Sequence, residues 1–145
     1  TMLAGRHAQH EAPTRLYSKL VGMDVHSEAG GDVQLQLQPD FEYAVLPLEG
    51  SVVIDGETFA ADEFAYLGLG RKAITMTLAP GARVLLIGGE PFAQPVVMWW
   101  NFVAHTRADI VQAQHDWEMG SERFALVPGE QGARMIAPRM PWSGA

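Results

Sequence analysis

Residues 51–59 read Ser51-Val52-Val53-Ile54-Asp55-Gly56-Glu57-Thr58-Phe59. The central Asp-Gly pair favours a two-residue β-hairpin turn, and the residues on either side of it favour strands. Upstream, Val33, Leu35 and Leu37 alternate with glutamines, which is the period-2 pattern of a half-buried strand. These stretches predict antiparallel β-structure.

Further apolar runs lie on both sides, separated by turn signals such as Gly30-Gly31 and Pro80-Gly81. The additional strands that we expect are 43–48, 64–67, 73–78, 83–87 and 96–103. Many short strands with regular turn signals are typical of an all-β barrel or sandwich. We therefore predict an all-β fold over about residues 1–104.

One helix is predicted at 105–120. Thr106 stands three residues before Asp109, as in a capping box, and Gly120 supplies a stop. The apolar residues between them fall on one stripe and are Ile110, Ala113 and Trp117. After the helix, residues 121–145 are interrupted by prolines, and we expect an extended tail that packs through Met135, Ile136 and Trp142.

The composition excludes several classes of protein. The 145 residues are enough for one domain, and the absence of cysteine excludes disulfide scaffolds and thiolate zinc sites. A net charge of -7 argues against direct nucleic-acid binding. No long apolar run or signal-peptide pattern is present, so we expect a cytoplasmic location and no membrane contact. Because the chain begins at Thr1, we also expect it to be part of a longer protein.

Two long and compositionally unusual runs resemble the pirin family of bicupin proteins. They are Leu85-Leu86-Ile87-Gly88-Gly89-Glu90-Pro91-Phe92 and Pro95-Val96-Val97-Met98-Trp99-Trp100-Asn101-Phe102-Val103-Ala104. The match covers nearly the whole chain and corresponds to the C-terminal half of that family. The resemblance implies a cupin-type β-barrel, also called a double-stranded β-helix. It also implies an iron-type metal in an N-terminal barrel that this chain lacks.

The first cupin metal motif is Gly-x5-His-x-His-x3–4-Glu-x6-Gly. Starting the motif at Gly30 places Gln36 and Gln38 at the histidine positions, and starting it at Gly31 places Leu37 and Pro39 there. In both registers Tyr43 takes the glutamate position. The second register is physically better, because it points the leucines inward and the glutamines to solvent.

The second cupin motif is Gly-x5-Pro-x-Gly-x2-His-x3-Asn. Here Ala73 stands at the histidine position and Thr77 at the asparagine position, while Gly70 is kept. Neither motif supplies a strong metal ligand. We therefore expect no metal site, no cofactor and no catalytic residue in this chain.

The five histidines are predicted to lie on the surface. His7 and His10 have the spacing of a zinc pair with Glu11, although a solvated loop is the favoured interpretation. His26 is expected in an exposed turn, and His105 and His115 at the surface near the helix. Arg71-Lys72 is the one adjacent basic pair, and we interpret it as part of a solvated turn.

Three functions remain open for the chain. The favoured hypothesis is a non-catalytic domain that packs against a metal-bearing N-terminal cupin. The resemblance implies that the complete protein is a quercetin 2,3-dioxygenase-like oxidoreductase or a regulator that binds proteins. The second is a stand-alone binding module with a pocket lined by Leu37, Tyr43, Val45 and Trp100. The third is a self-associating module, whose partner would be a second copy of the chain in a homodimer.

Overall fold

The computed structural model describes residues 1–142. By internal contacts the chain forms two compact units, Thr1–Pro91 and a second one that begins at Phe92. Each unit has its own cluster of buried hydrophobic side chains. The described residues include no helix that is long and apolar enough to cross a membrane.

The first unit consists of antiparallel strands. They are β1 Met2–Ala4, β2 Arg6–His7, β3 His10–Glu11, β4 Leu20–Ser27, β5 Gly31–Gln36, β6 Glu42–Glu49, β7 Ser51–Ile54, β8 Glu57–Ala60, β9 Ala65–Gly68, β10 Ala73–Leu78 and β11 Ala82–Gly89. One sheet has the order β1-β4-β11-β6-β9 and a second has the order β5-β10-β7-β8. Strands β2 and β3 form a separate two-stranded ribbon.

The hairpin at 51–59 is confirmed. Strands β7 and β8 pair from Ser51 opposite Ala60 to Ile54 opposite Glu57. Asp55 and Gly56 have φ values of 52° and 85°, the left-handed backbone that a type I′ turn requires. This conformation explains why the Asp-Gly pair was such a strong local signal.

The two larger sheets bury alternate side chains of their strands in one shared core. In β10, Ile74, Met76 and Leu78 are buried, whereas the residues between them are partly or fully exposed. The core cluster also includes side chains from both sheets, among them Val21, Met23, Val45, Val52, Ile54, Val84 and Leu86. Burying a side chain of this size contributes about 1.5–3 kcal/mol, so this shared core is the main source of the unit's stability.

Strand β4 was not predicted, although its signal was present in the sequence. The apolar residues Val21, Met23 and Val25 alternate with Gly22 and Asp24, which are small or polar. In the structure β4 is an interior strand, paired with β1 on one side and with β11 on the other. The expected exposed turn at His26 is therefore wrong in part, because His26 is exposed but lies on this strand.

The second unit contains two short strands and a helix. They are β12 Val97–Trp99, β13 Phe102–Ala104 and α1 Arg107–Glu118, followed by a 3-10 helix at Glu122–Phe124. The single strand expected at 96–103 is wrong, because the chain reverses at Trp100 and Asn101 and pairs Trp99 with Phe102. Trp100 has a φ of 51°, so a bulky side chain stands where a glycine would fit more easily.

The helix has the capping residues that its sequence predicted, although it is two residues shorter at each end than the predicted 105–120. The Thr106 hydroxyl accepts a hydrogen bond from the Asp109 backbone N–H at 3.1 Å and donates one to the Asp109 carboxylate at 2.6 Å. At the other end Gly120 has a φ of 64°. The Ser121 N–H donates to the Asp116 carbonyl and the Gly120 N–H to the Trp117 carbonyl, which is the Schellman pattern.

Of the three residues expected to pack the tail, Trp142 does so, whereas the expectation for Met135 and Ile136 is wrong. Met135 and Ile136 are exposed, whereas Ala137 and Met140 are buried in the core of the second unit. Trp142 packs edge-to-face against Trp99 at a centroid distance of 5.6 Å. Of the tail predicted at 121–145, the last three residues lie outside the described part of the chain.

Candidate functional site

The residues at the first-motif positions lie in or beside the core of the first unit. Leu37 follows β5 and is 8% exposed, and its backbone N–H donates to the Lys72 carbonyl at 2.8 Å. Gln36 and Gln38 are exposed. The structure thus confirms the register in which the leucines point inward, and it places an aliphatic side chain at a position where the motif has a ligand.

Tyr43 fills the position of the motif's glutamate. Its side chain is 3% exposed, and its hydroxyl accepts a hydrogen bond from the Gln38 backbone N–H at 3.0 Å. The Phe41 ring lies 6.1 Å from the Tyr43 ring, centroid to centroid. Burial raises the pKa of Tyr43 above its ordinary value, so the phenol stays neutral and acts as a packing residue that satisfies a backbone donor.

Gly88 explains part of the Gly-Gly-Glu-Pro run in steric terms. A Cβ atom at Gly88 would overlap the Tyr43 ring and would come within 2.8 Å of the Glu42 carbonyl oxygen. The tyrosine ring can therefore lie flat against β11 only because this residue has no side chain. The contact with Tyr43 therefore accounts for one glycine of the quoted run.

The second-motif positions face away from the core. Thr77 is exposed, and its hydroxyl donates to the Asp32 carboxylate at 2.6 Å. Ala73 lies on the same outward face of β10, whereas the inward positions are taken by Ile74, Met76 and Leu78. Even a ligand side chain at Ala73 or Thr77 would point away from the interior.

These residues do not fit the iron-type metal that the motif would hold. Iron sites need imidazole and carboxylate ligands that converge with open positions. In residues 1–142 no group of three or more histidine, aspartate or glutamate side chains is placed to hold a metal ion. Leu37 and Tyr43 offer no such ligand.

The predicted small-molecule pocket has its members in both units. Leu37, Tyr43 and Val45 belong to the core cluster of the first unit, and Val45 is fully buried. Trp100 belongs to the second unit, where its ring packs against Phe102 and Trp117 at 5.4 and 5.6 Å. The role of these four residues in ligand binding stays a prediction.

The solvated loop expected at His7 and His10 is wrong in part, because both residues lie on short strands and His7 is half-buried. His7 and His10 face each other across the β2–β3 ribbon, and the His7 Nε2 atom lies 2.9 Å from the Gln36 carbonyl oxygen. His105 and His115 are exposed, as predicted. The Nδ1 atom of His105 lies 3.2 Å from the Pro95 carbonyl oxygen.

The sequence pattern did not predict a cavity of about 280 Å³ at the edge of the first unit. Its lining includes Phe59, Phe64, Tyr66 and Arg71. The available signal was the run of aromatic residues near the β7–β8 hairpin. These residues do not predict a cavity by themselves, because the strands expected at 57–59 and 64–67 do not show that their edges meet.

The chain belongs to the pirin C-terminal cupin domain family, whose model matches residues 22–125. A protein from Pseudomonas aeruginosa named "Putative quercetin 2,3-dioxygenase" is 49% identical over 142 residues, which cover 98% of this chain and 45% of that protein. A "Pirin-like protein" of Caulobacter vibrioides is 30% identical over 82% of this chain and 40% of its own length. The resemblance to pirins and the cupin-type fold are thereby confirmed.

A solved structure supports the same fold. The crystal structure of quercetin 2,3-dioxygenase from Acinetobacter baumannii superposes with a TM-score of 0.86 at 36% identity. The match covers 97% of this chain and 47% of that chain. The chain spans about half the length of the relatives that it matches.

Proposed function

We propose that this chain is the metal-free C-terminal cupin domain of a pirin-like protein with quercetin 2,3-dioxygenase-type activity. In this proposal a metal-bearing N-terminal cupin carries out the oxidation, and the present chain acts as its structural partner in the cytoplasm. Neither nucleic acid nor membrane is a direct partner. The observation that carries the proposal is the packed interior at Leu37 and Tyr43, where the cupin motif would place metal ligands.

Two further observations support a structural role. The outward orientation of Ala73 and Thr77 leaves β10 with only aliphatic and thioether side chains facing the core. The relatives named for quercetin dioxygenation are about twice as long as this chain, which leaves room for a second barrel of similar size. A domain of that size has enough core to fold around a metal site.

Metal analysis of the purified chain tests the first half of this proposal. After dialysis against buffer without metal, we expect far less than one equivalent of iron, nickel or zinc per chain. The matched control is the full-length pirin-like protein, which should retain one metal per chain. Retention of a full equivalent by residues 1–145 alone would contradict the assignment.

Turnover measurements test the second half. In the full-length protein, loss of quercetin absorbance should disappear when the N-terminal metal ligands are replaced. Tyr43→Phe should leave the rate per folded molecule unchanged, because in this proposal Tyr43 does not touch substrate or metal. A Tyr43→Phe variant that is folded but inactive would place chemistry in this domain.

A further inference from the structure

The cavity at the edge of the first unit lies where two sheets end. Strand β8 is the last strand of the four-stranded sheet, and β9 is the last strand of the five-stranded sheet. The β7–β8 hairpin and the segment 64–67 line a space of about 280 Å³. Drug-sized ligands occupy pockets of about 300–1,000 Å³, so this cavity suits a smaller molecule.

Three aromatic side chains line this cavity without packing on one another. Phe64 and Tyr66 are 56% and 63% exposed, and Phe59 is half-buried. None of the ring pairs in residues 1–142 joins two of these three rings. Phe59 also packs against the core cluster of the first unit, so Phe64 and Tyr66 are the two rings with the most surface left for an occupant.

The charges at the cavity favour a cation. Two carboxylates, Asp55 and Glu57, and one guanidinium, Arg71, line it. Arg71 is already engaged, since it forms an ion pair with Asp55 at 2.7 Å and donates to the Leu67 carbonyl at 3.2 Å. Glu57 has no such partner cation in the described chain. An anionic occupant would have to displace Asp55 from Arg71, whereas a cation could approach Glu57 without breaking that ion pair.

The orientation of one ring is fixed from outside the cavity. The Tyr66 hydroxyl donates a hydrogen bond to the Glu42 carboxylate at 2.9 Å. This bond restrains the ring through its hydroxyl and leaves its faces unused. A ring held in advance loses less conformational entropy when it binds a ligand.

We propose that Phe59, Phe64 and Tyr66, together with Glu57, form a binding site for a small alkylammonium ion. The ammonium group would lie over the ring faces in cation–π contact, with Glu57 supplying the opposite charge. Aromatic rings with a nearby carboxylate are a general means of recognising quaternary ammonium groups. The inference is independent of the proposed function, because it uses none of the cupin-motif positions.

The test is an NMR titration of the purified chain with choline. Its neutral control is dimethylbutanol, in which carbon replaces the ammonium nitrogen and the shape is preserved. We expect choline to shift the ring protons of Phe64 and Tyr66 at millimolar concentration and dimethylbutanol to bind about tenfold more weakly. Equal binding of the two compounds, or no shift with choline, would overturn the proposal.

Variants of the lining residues test whether choline binds at this cavity. Phe64→Ala should weaken choline binding about tenfold, and Glu57→Gln should weaken it and reduce its dependence on salt. Tyr17→Ala is the matched control, because Tyr17 is 86% exposed and does not line the cavity. Melting temperatures equal to that of the parent chain show that each variant is folded. Unchanged binding in folded Phe64→Ala would contradict the assignment.

A methylated lysine side chain carries the same ammonium chemistry as a free ion. A short trimethyllysine peptide tested in parallel therefore separates the two sources. Tighter binding of the peptide would identify a protein side chain as the occupant, and tighter binding of choline a free ion. Absence of choline binding rejects the site whether or not the peptide binds.

Discussion

Gly88 and Tyr43 show how a single pair of residues determines what the interior can contain. The tyrosine ring occupies the space next to β11, and the glycine makes that space available. The buried hydroxyl is satisfied by the Gln38 backbone N–H, so the polar atom causes no unpaired burial. Both residues take part in packing, so substitutions at either of them should change stability.

Gly88→Ala should destabilise the chain by about 1–3 kcal/mol, because the added methyl group forces the Tyr43 ring to move. Gly22→Ala is the matched control. Gly22 lies on the neighbouring strand β4, and its nearest contact to an added Cβ would be an ordinary 3.6 Å. That control should be neutral or slightly stabilising. Urea denaturation measures both, and equal free energies of unfolding for the two variants would contradict the steric argument.

Tyr43 should also make stability fall at alkaline pH. Its pKa is raised in the folded state, so the unfolded chain loses the phenolic proton first, and stability declines as pH rises above the unfolded value of about 10. Tyr43→Phe should cost about 1 kcal/mol at neutral pH, because the Gln38 N–H loses its acceptor. It should also flatten the alkaline decline in urea titrations. Tyr17→Phe should behave like the parent chain, and a Tyr43→Phe curve parallel to the parent's would reject this linkage.

At the scale of elements, the best predictions were those with a local cause. The Asp55-Gly56 turn, the alternation in β5 and the capped helix α1 each depend on residues within a few positions of one another. The reversal at Trp100 was missed because its neighbours are apolar residues that favour strands, and the left-handed backbone falls on Trp100 rather than on the turn-favouring Asn101. The Trp100 ring also contacts Trp117, and a contact between residues so far apart in the sequence has no local signal. Which side chains of β10 face outward likewise could not be predicted without knowing the register of its pairing with β5 and β7.

The turn at Trp100 predicts an unusual order of stabilities. Both Trp100→Gly and Trp100→Ala lose the ring contacts with Phe102 and Trp117, but only glycine adopts the φ of 51° without strain. We expect Trp100→Gly to be more stable than Trp100→Ala by about 1 kcal/mol. Urea denaturation followed by the remaining tryptophans measures the difference. In a continuous strand alanine would be the better residue. A Trp100→Ala variant that is more stable than Trp100→Gly would therefore contradict the hairpin.

At the scale of the whole molecule, the two units differ in the size of their cores. The first has 15 buried residues in one cluster, drawn from both large sheets. The second has five, from β13, the helix and the tail. In residues 1–142 the buried side-chain polar atoms without a partner belong to the second unit, on Trp99, Gln114, Ser121 and Trp142. A small core with unpaired polar atoms gives less stabilisation per residue.

This difference predicts how fragments behave. Residues 1–91 alone should show β-type circular dichroism and a cooperative urea transition, because their core cluster is internal. Residues 92–145 alone should lack a cooperative transition, since chains of this length with so few buried side chains are marginal. A cooperative transition in the shorter fragment, or none in the longer one, would show that core size does not control independent folding here.

The outward-facing side of β10 limits how this domain could acquire chemistry by engineering. Histidine at Ala73 or asparagine at Thr77 would project toward solvent, so point substitutions there cannot build an interior ligand set. Sliding β10 by one residue would turn those positions inward, but the same slide would turn Ile74, Met76 and Leu78 out into water. The strand's pairing with β5 and β7 therefore keeps positions 73 and 77 on the outer face, and only a change of register, which no single mutation supplies, would turn them inward.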